Sequence, residues 1–83
     1  MDERLDTFGR AVRARRKEMR LTQEQLAERA GLHPNSISLI ERGQTNAGLD
    51  VLFAIADALD IAAATLVNAA ETERTKGRRG RRG

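Results

Sequence analysis

The chain has 83 residues, a formal net charge of +3 and no cysteine, which fits one small domain and excludes both a disulfide framework and a thiolate metal site. Its single histidine cannot form a zinc site by itself, and we expect neither a metal nor another cofactor. No apolar run approaches the roughly 20 residues that span a bilayer, and the N-terminus lacks a signal-peptide core. We therefore expect a cytoplasmic protein with no membrane partner.

Charged residues are segregated along the chain. The last ten residues carry six positive charges and no acid, while the remainder has nine Lys and Arg against twelve Asp and Glu. Residues 43–73 contain five acids and no Lys or Arg, whereas residues 10–20 contain six basic residues and one acid. One end of the folded part is therefore suited to a polyanion and the other is not. The basic chain end either adds salt-dependent attraction to DNA or only solubilises the protein.

The first predicted helix covers about residues 5–19, and residues 22–43 then predict two short helices joined by a glycine turn. Thr22 and Gln25 have the spacing of a capping box at the start of the second helix. Gly31 follows where a left-handed residue is favoured, and Pro34 suits the first turn of the third helix. Helix, tight turn and helix is the helix-turn-helix plan, whose second helix can enter a DNA major groove.

Two further helices are predicted, over about residues 49–59 and 62–70. Apolar residues recur there at steps of three and four, and Asp60 ends the fourth helix because Asp tolerates the left-handed conformation. The residues expected to face inward are Leu49, Leu52, Ile55, Ala56, Leu59, Leu66 and Val67. We expect an all-α domain of five helices at residues 1–71, followed by a disordered basic tail at residues 72–83.

Residues 21–27 (LTQEQLA), 37–43 (ISLIERG) and 52–59 (LFAIADAL) resemble the Cro/CI family of bacterial and phage repressors, also called XRE. The resemblance covers about residues 8–68 and extends to the small controller proteins of restriction–modification systems. It implies a compact, lambda-repressor-like DNA-binding domain. It also implies a transcriptional repressor or autoregulator that binds a two-fold symmetric operator as a homodimer through the major groove, associated with the nucleoid when bound.

The resemblance also implies roles for individual residues. Base-contacting positions correspond to Pro34, Asn35, Ser38 and Leu39. Asn35 is the best reader because an amide can bond bidentately to adenine. Phosphate-contacting positions correspond to Gln23, Arg42, Gln44, Thr45 and Asn46. An independent reason supports Gln23, since a helix N-terminus attracts anions. Arg10 and Arg13 on the first helix either contact phosphates as well or form a solvated face.

Other positions have structural interpretations. Arg16 and Glu41 match a pair that bridges helices 1 and 3 in phage repressors, and we expect a structural ion pair. His33 is expected to cap helix 3 weakly, with a phosphate contact or pH sensing as the alternative. Arg15 replaces a commonly apolar residue, and Arg20 stands where many relatives have glycine. The apolar surplus of helices 4 and 5 suggests a dimer interface that includes Val51, Phe53, Leu66 and Val67.

An antitoxin and an enzyme are the alternatives to a DNA-binding regulator. An antitoxin-type module would have a protein as its main partner and would bind an operator as a secondary task. The possible protein partners are a toxin or RNA polymerase. An enzyme is not expected, because no nucleophile–base set, carboxylate pair or phosphate-binding glycine loop is visible and one histidine leaves little for acid–base chemistry.

Overall fold

The computed structural model describes residues 2–82, and it describes side chains as far as residue 75. The described residues form five helices and no strand, which confirms the predicted fold class. The helices are α1 (Glu3–Glu18), α2 (Gln23–Ala30), α3 (Pro34–Glu41), α4 (Leu49–Ala58) and α5 (Ala63–Arg82). Within this part of the chain, no helix is both long and apolar enough to cross a membrane.

Side-chain caps set the start of the first two helices. The Asp2 carboxylate accepts from the backbone N–H of Arg4 at 2.8 Å, and this hydrogen bond lowers the pKa of Asp2. Thr22 accepts from the N–H of Gln25 at 3.0 Å, and the Gln25 side chain accepts from the N–H of Thr22 at 2.8 Å. The predicted capping box is therefore confirmed, and it satisfies two amides that the first turn leaves unpaired.

Residues with a left-handed backbone conformation lie in the turns between helices. Gly31 has φ 70° and Gly43 has φ 69°, both as their position between helices requires. Asp60 follows α4 with φ 54°, which confirms its predicted role. Arg20 also has a positive φ, 58°, although its Cβ makes this conformation unfavourable. The chain therefore keeps an arginine at a backbone position that glycine would occupy without strain.

The core is aliphatic and draws on every helix. Its largest fully buried side chains are Val12, Leu26, Ile37, Ile55, Leu59 and Leu66. The predicted inward orientation is wrong for Leu49 and Val67, which are 71% and 42% exposed. Both lie on faces of α4 and α5 that no other described part of the chain covers.

α5 is longer than predicted, since it extends to Arg82 and not to about residue 70. Ion pairs accompany the additional turns. The Arg10 guanidinium donates to Glu73 at 2.9 Å, and Arg74 pairs with Glu71 and lies 3.9 Å from Glu3. The division into a domain at residues 1–71 and a tail at residues 72–83 stays a prediction, and the tail side chains from residue 76 lie outside the described residues.

Two arginines hold the end of α4. Arg15 donates to the carbonyl oxygens of Leu59 at 3.0 Å and Asp60 at 3.2 Å, and Arg29 donates to that of Ala58 at 3.2 Å. A helix leaves its last carbonyl groups unpaired, and cations there also favour the dipole. Arg15 therefore connects α1 to α4 by hydrogen bonds where an apolar residue would connect them by packing.

Candidate nucleic-acid interface

α3 begins with a defined cap and displays a polar outer face. His33 accepts through Nδ1 from the N–H of Asn35 at 3.1 Å, and Pro34 is the first residue of the helix. Ile37 and Ile40 are buried against the core. The opposite face carries all four residues predicted to contact bases, namely Pro34, Asn35, Ser38 and Leu39.

Asn35 is the one exposed residue among these four, and the other three are partly exposed. Its side-chain amide makes no hydrogen bond in the described part of the chain, so both its donor and its acceptor face solvent. Ser38 lies one helical turn further on, and its backbone oxygen accepts from the N–H and the guanidinium of Arg42. An amide and a hydroxyl on one helix face are groups that can read base edges.

The predicted phosphate-contacting residues lie at the ends of α2 and α3. Gln23 is the first residue of α2, and its amide nitrogen donates to Oε1 of Glu41 at 3.1 Å. Arg42 caps the C-terminus of α3 and is exposed. In the following loop Gln44 and Asn46 are exposed and Thr45 is partly exposed. The α2 N-terminus adds free amides and a positive dipole end to this surface.

Arg16 and Glu41 form a bidentate ion pair beneath these residues. Nε of Arg16 lies 2.6 Å from Oε2 of Glu41, and Nη2 lies 3.0 Å from Oε1. The two side chains are only 11% and 3% exposed, so neither faces a ligand. The hydrogen bond to Glu41 raises the pKa of Arg16. Arg16 also donates to the Leu21 carbonyl oxygen at 2.8 Å, so the pair joins α1 and α3 to the start of α2.

The two predicted cations of α1 have different surroundings. Arg10 donates to Asp6 and to Glu73, both at 2.9 Å, so its charge is already neutralised. Arg13 is exposed and has no hydrogen bond or ion pair in the described part of the chain. To bind a phosphate, Arg10 would have to give up its ion pairs with Asp6 and Glu73, whereas Arg13 has no ion pair to break in the described structure.

An apolar surface lies on α4 and α5. Phe53 is 55% exposed and Val67 is 42% exposed, while Val51 is partly buried. Leu66 is 1% exposed, so its predicted place in an interface is wrong: it belongs to the core. Leu49, one of the surplus apolar residues, was expected to face inward but is exposed and belongs to this surface.

Val67 also lines a shallow groove beside α1. One part, of about 130 Å³, is lined by Leu5, Phe8, Ala47 and Leu52 among others. A second part, of about 160 Å³, continues between Thr7, Phe8 and Ala70. Among the exposed apolar side chains, Val67 therefore lies at a concave and mainly apolar surface, a combination that suits a protein interface.

The described residues show no candidate metal site beside this surface. They contain no group of three His, Cys, Asp or Glu residues that could hold a metal ion. Every buried side-chain nitrogen and oxygen atom among them has a hydrogen-bond partner. Polar side chains without a partner in the described structure include Asn35 on α3 and Arg13 on α1.

A helix-turn-helix family model matches residues 12–66. This range includes all of α2, α3 and α4, the C-terminal part of α1 and the start of α5. The chain belongs to the helix-turn-helix proteins of the Cro/CI type. This membership confirms the resemblance inferred from the sequence. The chain thus carries a DNA-binding helix-turn-helix domain of the repressor type.

Relatives of this helix-turn-helix protein include phage and restriction–modification regulators. It is 44% identical over 61 residues to the immunity repressor protein of Bacillus phage phi105, a match that covers 74% of this chain and 42% of the repressor. The chain thus spans less than half of that curated relative. The controller protein C.AhdI from Aeromonas hydrophila is 39% identical, with a TM-score of 0.74 and coverage of 75% of this chain and 94% of C.AhdI.

A third relative is the controller protein C.Esp1396I, whose structure was solved as a tetramer in complex with its natural 35 base-pair operator. It is 25% identical to this chain, with a TM-score of 0.83 and coverage of 90% of this chain and 99% of C.Esp1396I. Its fold and that of this helix-turn-helix protein are therefore alike over nearly their whole lengths.

Proposed function

We propose that this protein binds a two-fold symmetric DNA operator as a homodimer and acts as a transcriptional repressor or autoregulator. The observation that carries the proposal is the outer face of α3, where Asn35 presents an amide without a partner in the described structure. The C.Esp1396I complex supports it, since a protein of the same fold is bound there to its operator. A protein acting in this way would work in the cytoplasm, on the nucleoid.

Base reading is assigned to the outer face of α3. Asn35 would pair bidentately with an adenine, and Ser38 would donate to or accept from a neighbouring base edge. Pro34 and Leu39 have no polar side-chain group, so they would contact a thymine methyl or exclude other bases. This is a small set of readers for one subunit. Two copies on a symmetric site would double the number of base contacts, with their α3 helices about 34 Å apart.

Phosphate binding is assigned to the residues around α3. Gln23 and the α2 N-terminus would bind one phosphate, and Arg42 with the loop residues Gln44, Thr45 and Asn46 would bind others. Arg13 is included because its charge has no partner in the described structure, whereas Arg10 would first have to leave Asp6 and Glu73. These contacts would position α3 without distinguishing sequences.

The dimer would use the apolar surface formed by Leu49, Phe53 and Val67. Val51 lies two residues from both Leu49 and Phe53, on another side of α4, and its place in the interface stays a prediction. Phe53 and Leu49 are one turn apart on α4, so they form one continuous apolar patch. The absence of Lys and Arg from residues 43–73 means that this surface is not suited to face phosphate. An antitoxin-type protein would use the same surface for a toxin, and a contact with RNA polymerase stays a prediction as well.

The base-reading assignment can be tested with three asparagines. An operator is first selected from a random DNA pool, and the affinity of the full chain is measured for it and for single-base variants. Asn35→Ala should weaken operator binding by about 1–3 kcal/mol and relax the preference at one position of the half-site. The ranking of operator variants should otherwise stay the same.

Two matched substitutions serve as controls for Asn35. Asn46→Ala, in the loop after α3, should weaken all sequences alike, because a phosphate contact carries no sequence information. Asn68→Ala, on the exposed face of α5, should have no effect. If Asn35→Ala leaves the base preference unchanged, the assignment of the reader is wrong. If no sequence is enriched from the pool, operator binding itself is wrong.

A further inference from the structure

The cations of the α1 region fall into two classes. Four arginines of α1 are in ion pairs with acids: Arg4 with Asp2, Arg10 with Asp6 and Glu73, Arg15 with Glu18, and Arg16 with Glu41. Three other cations are exposed and have no hydrogen bond or ion pair from their side chains in the described part of the chain. They are Arg13, Lys17 and Arg20, which we call the α1 strip.

The α1 strip lies next to the end of α3. Gly9 packs so closely on α3 that a Cβ there would collide with the carbonyl oxygen of Ile40 and lie 2.6 Å from that of Glu41. Arg16 reaches the Glu41 side chain. Arg13 is four residues after Gly9 and three before Arg16, so it lies on the same side of α1. The strip therefore starts beside Glu41 and its neighbour Arg42.

From there the strip runs toward the start of α2. Lys17 lies one helical turn beyond Arg13, about 6 Å further along the axis. Arg20 follows the C-cap of α1 and precedes the Thr22 cap of α2 by two residues. The strip thus joins two positions assigned to phosphate contact, Arg42 at one end and Gln23 at the other. In the described part of the chain no acid pairs with its cations, and Glu18, the nearest acid along α1, binds Arg15 at 3.4 Å.

Arg20 adds a second observation. Its φ of 58° is unfavourable for a residue with a Cβ, and the described structure gives its side chain no partner that would compensate. Strained residues persist where the surroundings or a function require them. The strip also brings cations toward the positive end of the α2 dipole, where Glu24 is the one acid of the first turn, and a bound polyanion would add negative charge there.

We propose that the α1 strip binds the DNA phosphate backbone and extends the contact surface from Arg42 to the start of α2. This inference rests on the proposed operator binding and adds Lys17 and Arg20 to it. The contact is electrostatic and blind to sequence. It strengthens binding to the operator and to any other duplex by the same factor, so the strip sets affinity while α3 sets specificity.

The test measures binding of the full chain to its selected operator and to a scrambled duplex at several salt concentrations. Arg13→Gln, Lys17→Gln and Arg20→Gln are each expected to weaken both duplexes, by about fivefold at low salt. The slope of log K against log salt is negative, and each lost phosphate contact makes it shallower by about 0.9. For a dimer with two such contacts the change is about 1.8. The ratio of the two affinities stays at the wild-type value.

Arg10→Gln is the matched control. It removes the same charge from the same helix, but from an arginine that is paired with Asp6 and Glu73, and it should leave the salt slope unchanged. Urea denaturation of each variant verifies that it is folded. If the strip variants keep the wild-type slope, or if Arg10→Gln lowers it equally, the inference is overturned. Wild-type protein that binds no operator selectively would instead contradict the proposed function.

Discussion

At the scale of single residues, close approach and backbone conformation decide which side chains are tolerated. Gly9 is the clearest case, because α1 crosses the end of α3 with the carbonyl oxygens of Ile40 and Glu41 in the space that a Cβ would occupy. Backbone atoms at the end of a packed helix cannot rotate away as a flexible side chain would. The contact brings Arg16 within reach of Glu41, so the absence of one methyl group supports the ion pair under α3.

Gly9→Ala is therefore expected to lower the free energy of unfolding by about 3 kcal/mol, at the upper end of the usual cost of overpacking, although alanine favours helices. Urea denaturation followed by circular dichroism measures this change. Lys17→Ala, on the exposed side of the same helix, is the control and should change stability by less than about 0.5 kcal/mol. An alanine at residue 9 that stabilises the protein would show that α1 and α3 are further apart than described.

At the scale of elements, a buried polar network holds three helices in one arrangement. Glu41 on α3 accepts two hydrogen bonds from Arg16 on α1 and one from Gln23 at the start of α2. The two charges have almost no access to water, so each depends on the other for compensation. A pair of this kind contributes orientation more than net stability. It orients α3 relative to the α2 N-terminus, the two elements assigned to DNA binding.

Glu41→Leu should cost about 3–5 kcal/mol, since it leaves the Arg16 charge buried without a partner. The single variant can fail to fold, because this cost is close to the total stability of a small domain, which can be as low as about 5 kcal/mol. The double variant Arg16→Met with Glu41→Leu removes both charges, and we expect it to recover most of that loss. The free energy of unfolding in urea measures both. A double variant as unstable as the single one would contradict the argument from burial.

The pH dependence of this pair follows from the direction of the Arg16 pKa. Its pKa is raised in the folded state, mainly by the hydrogen bond to Glu41. A raised pKa contributes stability that is present below the unfolded pKa and is lost only as pH rises through the folded value, which is strongly alkaline. The loss in the free energy of unfolding caused by Glu41→Leu should therefore be the same at about pH 7 and about pH 9, as measured by urea denaturation at both values.

At the scale of the whole molecule, the two sides of the fold have different chemistry. The α1 strip, Asn35 and Arg42 place exposed cations and an amide around α3, while α4 and the described part of α5 up to Glu73 carry acids and exposed apolar groups. The first side suits a polyanion, and the second suits a protein surface. A dimer formed through α4 and α5 would leave both α3 helices free to bind DNA.

Phe53→Glu should raise the dissociation constant of the dimer by tenfold or more, because a charge would enter an apolar contact, a change worth about 1.4 kcal/mol or more. The monomer should still fold, since the Phe53 side chain is 55% exposed. Sedimentation equilibrium measures the association, and Ala14→Glu on the exposed face of α1 is the control with the same added charge. A variant that dimerises like the wild type would place the interface elsewhere.

Local rules were sufficient for much of the fold. The capping box at Thr22, the left-handed Gly31, the proline start of α3 and the burial of Ile37 and Ile40 follow from residues within one or two turns. The end of α5 did not follow, because Glu73 and Arg74 have the sequence character of a polar tail. Their partners, Arg10 and Glu3 respectively, are on α1 and become apparent only in the folded structure. The same applies to Arg15, whose hydrogen bonds reach α4, more than 40 residues away.

The sequence by itself therefore determined the helices, the turn between α2 and α3 and the family, because capping, periodicity and turn chemistry are local and leave marks at fixed spacings. Only the tertiary structure decided which of the similar arginines of α1 are neutralised and which remain available, and which apolar residues of α4 and α5 stay exposed. Both depend on what packs against a side chain from a distant part of the chain. Residue type and helical spacing carry no information about that neighbour.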